Sequence, residues 1–265
     1  MTRAMWDPEK YGEFAAERSR PFFDLVERVG IVPRSVVDLG CGPATLTATL
    51  LDRWPGARIT GVDSSPEMVA AALACAVPGR LEIELADLRT WRPAGPVDLV
   101  VSNAALQWVP EHRSLLPELA SFLAPGGVLA FQVPGNFTAP SHTVLDELCE
   151  SPRWRDRLGG RNRRKPASAE PEEYLKDLDG CGLSVEAWET TYLHVLRGDD
   201  PVVEWLRGTA LRPVLAALGP DAEAFCAELA PRLRRAYPAR SYGTVLPYRR
   251  IFAIGRALGH SGRHK

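Results

Sequence analysis

Short apolar runs alternate along the first half of the chain with stretches whose apolar residues recur every three or four positions. The first apolar run covers residues 36–39 and ends at Gly40. Leu46, Leu50 and Trp54 follow at four-residue spacing, which places them on one face of a helix. Because a short apolar run bounded by glycine is typical of a buried strand, the pattern predicts a strand, a tight loop and a helix, the first half of a βαβ unit.

The same alternation continues along the rest of the chain. Four further apolar runs predict strands at residues 58–62, 81–85, 97–102 and 128–133. Residues 185–195 and 250–256 also have strand character, whereas residues 198–247 between them are patterned as helices. We therefore expect residues 198–247 to contribute no strand to the core.

Short polar residues mark where helices are predicted to start. Asp7-Pro8 and Ser65-Pro66 each pair an N-cap residue with a proline at the first helical position. Ser141 is expected to cap a short helix that carries His142 near its start. Asp200-Pro201 indicates a helix start within the segment 198–247.

Internal prolines mark where helices are predicted to end. Pro21 is expected to end the first helix, so that a second helix covers residues 22–29. Pro231 is expected to kink or break the helix that begins near Asp221, because proline removes a backbone donor.

Composition narrows the class of protein. The 265 residues are 45% hydrophobic and 25% charged with a net charge of -1, which is ordinary for a globular protein. This balance gives no reason to expect nucleic acid or an acidic membrane surface as a partner. No apolar run approaches the length of a membrane span and no secretory signal is present, so we expect a cytoplasmic protein. We also expect a monomer or weak oligomer.

The cysteines and one basic segment do not indicate the kinds of site that their composition suggests. The five cysteines are odd in number and show no C-x-x-C pair, which argues against a disulfide framework and against a zinc site. Residues 153–165 hold seven basic side chains and one acid, without the interleaved aromatics of a nucleic-acid patch. We interpret this basic segment as a solvated lid that could attract an anionic substrate.

The glycines after the first strand predict a nucleotide-type cofactor site. Gly40 and Gly42 let a ligand approach the backbone, and the helix that follows offers unpaired N–H donors. Asp63 ends the second strand about 20 residues later, where a carboxylate meets ribose hydroxyls. Asp87 ends the third strand, within reach of an adenine. Threonine at position 45 and Asp38 within the first strand both argue against a nicotinamide fingerprint.

These residues carry a resemblance to class I S-adenosylmethionine-dependent methyltransferases. The matching segments are Asp38-Leu-Gly-Cys-Gly, Asp63-Ser-Ser-Pro-Glu-Met68, Ala86-Asp-Leu-Arg89 and Asn103-Ala-Ala-Leu-Gln-Trp108. The resemblance implies S-adenosyl-L-methionine as cofactor and an α/β class. The implied fold is a Rossmann-like seven-stranded sheet, mostly parallel with a final antiparallel hairpin, plus a helical cap inserted between the last two strands. Ala44 departs from the family, whose loop usually has a third glycine there.

Segments outside the cofactor site resemble the trans-aconitate 2-methyltransferase family over about residues 5–257, except for residues 150–172. They are Trp6-Asp-Pro-Glu-Lys-Tyr11, Arg18-Ser-Arg-Pro21, Trp188-Glu-Thr-Thr-Tyr-Leu-His194 and Pro247-Tyr-Arg-Arg-Ile-Phe252. This resemblance implies methyl transfer to a carboxylate oxygen of a small tricarboxylic acid. The implied divisions are an N-terminal helical cover (1–30), a cofactor-binding core (31–197 and 248–258), a helical cap over the substrate site (198–247) and a tail (259–265).

The cofactor contacts that follow from the motifs and the resemblance lie at the strand ends and on the N-terminal cover. They are Tyr11, Arg20, Asp38, Gly40, Gly42, Asp63, Ser64, Met68, Asp87, Leu88, Asn103 and Ala104. Gln107 and Trp108 follow the fourth strand and are expected to position the reacting groups. We expect no metal and no covalent intermediate, since the cofactor already carries an activated leaving group.

A tricarboxylate pocket should supply cationic and phenolic donors with apolar walls. The candidates are Trp108, His142, Tyr192, His194, Trp205, Arg212, Tyr248 and Arg249. Tyr192 and His194 share one face of a strand because they are two residues apart. Three alternatives stay open at this point: a methyltransferase for another carboxylate or hydroxyl acceptor, a nicotinamide oxidoreductase, and a catalytically silent protein that senses the cofactor.

Overall fold

A computed structural model describes residues 15–159 and 168–259. Of residues 15–18 it describes the backbone only. The predicted helix start at Asp7-Pro8, the cofactor contact Tyr11 and most of the predicted tail lie outside the described residues. The strands are β1 (Ser35–Leu39), β2 (Arg58–Asp63), β3 (Leu81–Leu85), β4 (Val97–Asn103), β5 (Leu123–Pro134), β6 (Ser184–Leu196), β7 (Ala239–Arg240) and β8 (Gly243–Arg256).

Helices follow or join these strands along the described chain. The α-helices are α1 (Ala15–Glu27), α2 (Thr45–Arg53), α3 (Pro66–Ala72), α4 (His112–Ser121), α5 (Pro140–Cys149), α6 (Arg155–Leu158), α7 (Pro171–Asp179), α8 (Pro201–Arg207), α9 (Arg212–Leu218) and α10 (Ala222–Ala236). Short 3₁₀ turns cover Leu73–Cys75, Leu106–Trp108 and Gly219–Asp221. Within the described ranges, no helix combines the length and the apolar character needed to cross a bilayer.

The strands form one sheet in the order β3-β2-β1-β4-β5-β8-β6, with β7 paired to β8. Strands β1 to β5 are mutually parallel, and β8 runs antiparallel to β5. The carboxyl ends of the parallel strands therefore lie along one edge, with Leu39 paired to Val62 and Asp63 paired to Leu85. This topology confirms the predicted α/β class with a mostly parallel sheet and an antiparallel end.

The chain divides into two compact units, which we name by their content. The sheet unit comprises the described residues 18–134, 168–189 and 250–259. The helical unit comprises the described residues 15–17, 135–159 and 190–249. Each unit has its own buried hydrophobic cluster.

The core of the sheet unit follows from strands that are apolar on both faces. Val37, Val100 and Phe131 are each at most 2% exposed. Parallel strands covered by helices bury both faces, so their sequences read as continuous apolar runs rather than alternating ones. In the helical unit, Trp154 packs edge-to-face on Phe225 with ring centroids 5.3 Å apart.

The predicted helix end at Pro21 is wrong and the predicted break at Pro231 does not occur, because proline is tolerated inside both helices; the kink at Pro231 stays a prediction. Pro21 lies within α1, and Pro231 lies within α10. An internal proline costs about 3 kcal/mol. Each helix offsets that cost by burying apolar residues next to the proline: Phe22 and Leu25 are fully buried beside Pro21, and Leu233 is 1% exposed beside Pro231.

Two other predicted boundaries also need correction. Ser141 does not cap α5, because Ala139 is the N-cap and Pro140 takes the first helical position. The end of the segment 198–247 is strand rather than helix, since β8 already starts at Gly243 and pairs there with β7. Gly243 has φ 130°, and a Cβ there would lie 2.8 Å from the Leu196 carbonyl oxygen, so only glycine allows this close approach.

Candidate active site

The loop after β1 contains two glycines with positive φ, of which Gly40 is closely packed and Gly42 is not. Gly40 has φ 80°, and a Cβ on it would lie 2.2 Å from the Cβ of Ala105. Gly42 has φ 56°, and a Cβ on it would meet no atom within 4 Å. The loop therefore packs tightly on one side and presents open backbone on the other, which fits a ligand cradle.

Asp63 braces this loop from the end of β2. Its Oδ2 accepts a hydrogen bond of 2.9 Å from the Gly42 N–H, and its Oδ1 accepts one of 2.9 Å from the Ser65 N–H. A carboxylate has about four acceptor positions, so two remain for the hydroxyls of a ribose. The residue predicted to bind ribose thus also fixes the shape of the glycine loop.

Asp38 places an incompletely satisfied carboxyl beneath the loop. It is 3% exposed, and its Oδ2 accepts a 2.6 Å hydrogen bond from the Thr47 hydroxyl. Its Oδ1 is buried and has no hydrogen-bond partner in the structure. Burial raises the pKa of Asp38 to about 7, against the hydrogen bond from Thr47, and the neighbouring Asp63 raises it further. A ligand that brings a donor or a positive charge would satisfy this group.

The position where the sequence departs from the expected loop has a left-handed backbone. Ala44 has φ 56° and ψ 14°, is fully buried and is the N-cap of α2. A left-handed conformation costs a non-glycine residue about 1–2 kcal/mol. The loop therefore keeps the geometry that a third glycine would adopt, in spite of the added methyl group.

The predicted adenine side of the site lies at the ends of β2 and β3. Met68 is buried on α3, whose N-cap Ser65 accepts a hydrogen bond of 3.2 Å from the Met68 N–H, as the sequence predicted. Asp87 accepts hydrogen bonds from both the guanidinium and the backbone N–H of Arg89, which lower its pKa. Leu88 is half-buried next to it, and Ser64 is exposed.

The segment after β4 brings polar amides to the same edge of the sheet. Gln107 donates a 2.5 Å hydrogen bond from Nε2 to the Ala104 carbonyl, and its Oε1 is buried without a hydrogen-bond partner. Ala104 has φ 54°, a second left-handed non-glycine residue. Such strained residues persist at functional sites when the surroundings hold them in place. Trp108 is 44% exposed, so a ligand could contact its indole.

The sequence reasoning missed two buried polar residues in this unit. Gln132 is 1% exposed on β5, and its Nε2 donates a 2.5 Å hydrogen bond to Asn103 Oδ1. Arg250 is 6% exposed, and its Nη1 donates to Gln132 Oε1 at 3.3 Å. The only sequence signal for this pair is a polar residue inside the apolar run 128–133. The sequence prediction named Arg249, the neighbour of Arg250, as the functional cation of this strand.

Four of the predicted substrate residues form one aromatic cluster in the helical unit. His194 stacks on Trp205 with centroids 4.9 Å apart and lies 5.9 Å from the Tyr248 ring and 6.4 Å from the Tyr192 ring. His194 is 4% exposed and Tyr192 is 8% exposed. The expected common face of Tyr192 and His194 is thus observed as near-parallel rings.

The remaining candidates are distributed more widely. Arg249 is half-buried, with Nη1 3.5 Å from the Gly135 carbonyl oxygen, and Arg212 is half-buried at the start of α9. His142 packs edge-to-face on Phe137 at 5.7 Å, and burial lowers its pKa to about 4. Neutral at pH 7, His142 could donate one hydrogen bond but would not supply a positive charge. Arg20 is exposed on α1.

The glycine loop lies in a segment that is similar to a known methyltransferase domain. A family model described as a methyltransferase domain matches residues 36–127. The fold is similar to that of the plantazolicin methyltransferase BpumL, solved in complex with SAH, with a TM-score of 0.52 at 14% identity, covering 94% of this chain and 90% of that chain. An O-methyltransferase family protein from Burkholderia thailandensis gives a TM-score of 0.52 at 18% identity, covering 95% of this chain and 59% of that chain.

Curated relatives define the family more narrowly. A trans-aconitate 2-methyltransferase of Streptomyces avermitilis is 54% identical over 257 residues, which cover 94% of this chain and 96% of the relative. Relatives of the same name from Streptomyces coelicolor and Mycobacterium tuberculosis are 50% and 46% identical, covering 98% and 96% of this chain and 89% and 98% of their own lengths. The chain belongs to the trans-aconitate 2-methyltransferase family, whose members are S-adenosylmethionine-dependent enzymes.

Proposed function

We propose that this enzyme transfers the methyl group of S-adenosyl-L-methionine to a carboxylate oxygen of trans-aconitate, giving a monomethyl ester and S-adenosylhomocysteine. The observation that carries the proposal is the glycine loop braced by Asp63 above the buried Asp38. The tricarboxylate acceptor is supported by the names of the relatives, which match this chain over nearly its whole length.

The residues at the edge of the sheet fit the parts of the cofactor. The open backbone at Gly42 suits the methionine and ribose portion, Asp63 has acceptor positions for the ribose hydroxyls, and Asp87 and Leu88 suit the adenine. The partnerless Oδ1 of Asp38 suits a positively charged ligand. When bound, the cofactor supplies a methyl group on a sulfonium, which is already an activated leaving group.

The groups around the end of β4 suit an acceptor that needs no base. Asn103 and Gln107 contribute amides, which neither gain nor lose a proton at neutral pH. A carboxylic acid with a pKa near 4 is already ionised at neutral pH, whereas a phenol or alcohol would need a base. The enzyme then has to align the carboxylate and exclude water, and alignment alone can contribute about 7–11 kcal/mol at most.

The substrate residues proposed from the resemblance include the aromatic cluster that lies within the helical unit. Tyr192, His194 and Tyr248 each carry a group able to donate a hydrogen bond, and Trp205 gives an apolar wall. Arg249 and Arg212 are the cations proposed to hold carboxylates, and an Arg fork can do so with two hydrogen bonds. His142 and Trp108 complete the proposed set.

A panel of acceptors tests the proposal. Purified enzyme is incubated with methyl-labelled cofactor and, in parallel, trans-aconitate, citrate, a simple phenol and an isoprenoid alcohol. We expect a labelled methyl ester with trans-aconitate and much slower transfer to the others. Faster labelling of the phenol or alcohol would favour a hydroxyl methyltransferase, and tight cofactor binding with no labelled product would favour a sensor.

A variant of the glycine loop gives the matched control. Gly40→Val places side-chain atoms where the Cβ alone would lie 2.2 Å from Ala105, so it should abolish cofactor binding and transfer together. Gly56→Ala, at a position where a Cβ meets nothing within 4 Å, should leave both unchanged.

Four features expected from the sequence stay predictions. They are the cytoplasmic location, the monomeric or weakly oligomeric state, the sequence-based domain division and the role of residues 153–165.

A further inference from the structure

Three buried or half-buried polar side chains form a row across neighbouring strands of the sheet unit. Arg250 on β8 donates to Gln132 Oε1 on β5 at 3.3 Å, and Gln132 Nε2 donates to Asn103 Oδ1 on β4 at 2.5 Å. Gln132 is 1% exposed and Arg250 is 6% exposed. The row ends at the carboxyl end of β4, beside the strained Ala104, whose N–H donates to the Gln132 carbonyl at 3.0 Å.

The chemistry of arginine fixes the direction of every hydrogen bond in this row. A guanidinium has only donors and no acceptor, so Gln132 has to present its carbonyl oxygen to Arg250. The amino group of Gln132 must then face Asn103, and Asn103 must present its own carbonyl oxygen in return. The two N–H donors of the Asn103 amide are consequently turned away from Gln132.

We infer that Arg250 and Gln132 are positioning residues that make Asn103 a hydrogen-bond donor to an anionic oxygen of the methyl acceptor. This inference rests on the proposed function, since it assigns the donor to the carboxylate that is methylated. A side-chain amide that was free to rotate could also present its carbonyl oxygen to that carboxylate, which is the electrostatically unfavourable orientation. The row removes this unfavourable orientation before the substrate binds, which is pre-organisation in the ordinary sense.

Two substitutions at Gln132 distinguish the effect of the hydrogen-bond direction along the row from the effect of the row on stability. Gln132→Glu keeps the shape and pairs with Arg250, but its carboxylate can only accept, so Asn103 must rotate and present its carbonyl oxygen to the substrate. Gln132→Met also keeps the length but removes both hydrogen bonds that Gln132 makes, which costs stability and leaves Asn103 able to rotate.

The inference predicts opposite orders for activity and stability. Gln132→Glu should raise the KM for trans-aconitate about tenfold or more, because Asn103 then turns its carbonyl oxygen towards the substrate. Gln132→Met should raise it only about two- to threefold, because Asn103 can still rotate to donate. Gln132→Met should nonetheless unfold at the lower temperature. The dissociation constant for S-adenosylhomocysteine, measured by calorimetry, should stay within about twofold of wild type in both.

A substrate-independent readout keeps the test decisive. In NMR spectra of the whole enzyme, the side-chain NH₂ of Gln132 should be protected from exchange, and the Asn103 NH₂ should become protected only in Gln132→Glu. Arg250→Lys, which retains a cationic donor, should preserve the Gln132 pattern, whereas Arg250→Met should lose it. An exposed Gln132 NH₂ in the wild-type enzyme would overturn the inferred direction.

Three other outcomes would each overturn a different part of the inference. If the KM and stability losses of the two Gln132 variants rise together, the row is only structural and the inference is wrong. If the affinity for S-adenosylhomocysteine falls instead of the affinity for trans-aconitate, Asn103 serves the cofactor and the assignment to the acceptor is wrong. If wild-type enzyme makes no ester from trans-aconitate, the proposed function and this acceptor assignment fail, and the NMR pattern then tests the direction of the row by itself.

Discussion

At the residue scale, Asp38 of the proposed cofactor site has a charge that we expect to depend on the bound ligand. Its pKa of about 7 means that near neutral pH roughly half of the ligand-free molecules carry a proton on this carboxyl. Because this pKa is raised above the unfolded value of 3.8, its contribution to stability is full below about pH 3.8 and is lost as the pH rises through about 7. A positively charged ligand beside it would favour the ionised form.

Cofactor binding is therefore expected to release a proton. At pH 7 we predict the release of up to about half a proton per molecule of S-adenosyl-L-methionine bound, because the cofactor's positive charge lowers the pKa of Asp38. Calorimetric titrations in buffers of different ionisation enthalpy measure this quantity. Asp38→Asn should release none, and an equal release by this variant would show that the proton comes from another group.

Ala44 shows how an unfavourable backbone can persist at little net cost. In Ala44→Gly the left-handed strain of about 1–2 kcal/mol is relieved. Two effects oppose this gain in stability. Loss of the buried methyl group costs about 0.8 kcal/mol, and the greater conformational entropy of the unfolded chain costs about 0.4–1 kcal/mol. We predict that the free energy of unfolding changes by less than about 1 kcal/mol and that cofactor affinity is kept.

Urea unfolding measures the effect of Ala44→Gly, with Ala44→Val as the contrasting variant. Valine at a buried left-handed position should destabilise the protein by more than about 2 kcal/mol, since β-branched residues are rare outliers there. A large loss of stability in Ala44→Gly would mean that the methyl group, and not the backbone, dominates at this position.

Arg249 tests the proposed anion clamp at the level of a single charge. Arg249→Met should raise the KM for trans-aconitate about tenfold or more, because truncating a charged hydrogen-bonding partner costs about 1.5–3 kcal/mol. Arg240→Met, at an exposed position in the same unit, is the control. Initial rates at saturating cofactor give the comparison, and an unchanged KM in Arg249→Met would remove this residue from the substrate site.

At the scale of the element, α4 and α7 are joined by a buried histidine and tyrosine. His112 Nδ1 lies 3.0 Å from the Val109 carbonyl oxygen, so Nδ1 carries the proton and Nε2 accepts a 2.7 Å hydrogen bond from the Tyr174 hydroxyl. The same hydroxyl accepts from the Ala169 N–H at 3.1 Å. Burial lowers the pKa of His112, which keeps the imidazole neutral in this role.

Removing the hydroxyl should loosen this connection. Tyr174→Phe leaves an imidazole nitrogen and a backbone N–H without their partner, so we predict a loss of about 1–3 kcal/mol in the free energy of unfolding. Tyr242→Phe, at a side chain that is 58% exposed, should change stability by less than about 0.5 kcal/mol. Chemical denaturation distinguishes the two, and equal stabilities would show that the buried pair contributes little.

The elements that were predicted well from the sequence are those whose signal is local. Apolar runs bounded by glycine or acid predicted β1 to β4, and the pair Ser65-Pro66 predicted the start of α3 together with its capping hydrogen bond. The errors arose where a distant interaction overrides a local preference. Pro21 stays inside α1 because the apolar residues beside it are buried by tertiary packing, which no local pattern shows.

At the scale of the whole molecule, the residues proposed to bind the cofactor were more predictable than the row proposed to position the acceptor. Asp38, Gly42 and Asp63 are close in space because parallel strands end at one edge, a rule that needs only the strand pattern. Gln132 meets Asn103 across 29 residues of sequence, and Arg250 meets Gln132 across 118 residues. Spacing in the chain gives no indication of such a row.

The central claim is that a carboxylate oxygen accepts the methyl group of the cofactor. The most direct test supplies cofactor enriched with carbon-13 in that methyl group and follows the reaction with trans-aconitate by heteronuclear NMR. We predict that the labelled methyl protons correlate with one carboxyl carbon of aconitate, and that S-adenosylhomocysteine forms in equal amount. A labelled methyl group bound to carbon, or a cofactor that remains unconsumed, would contradict the account.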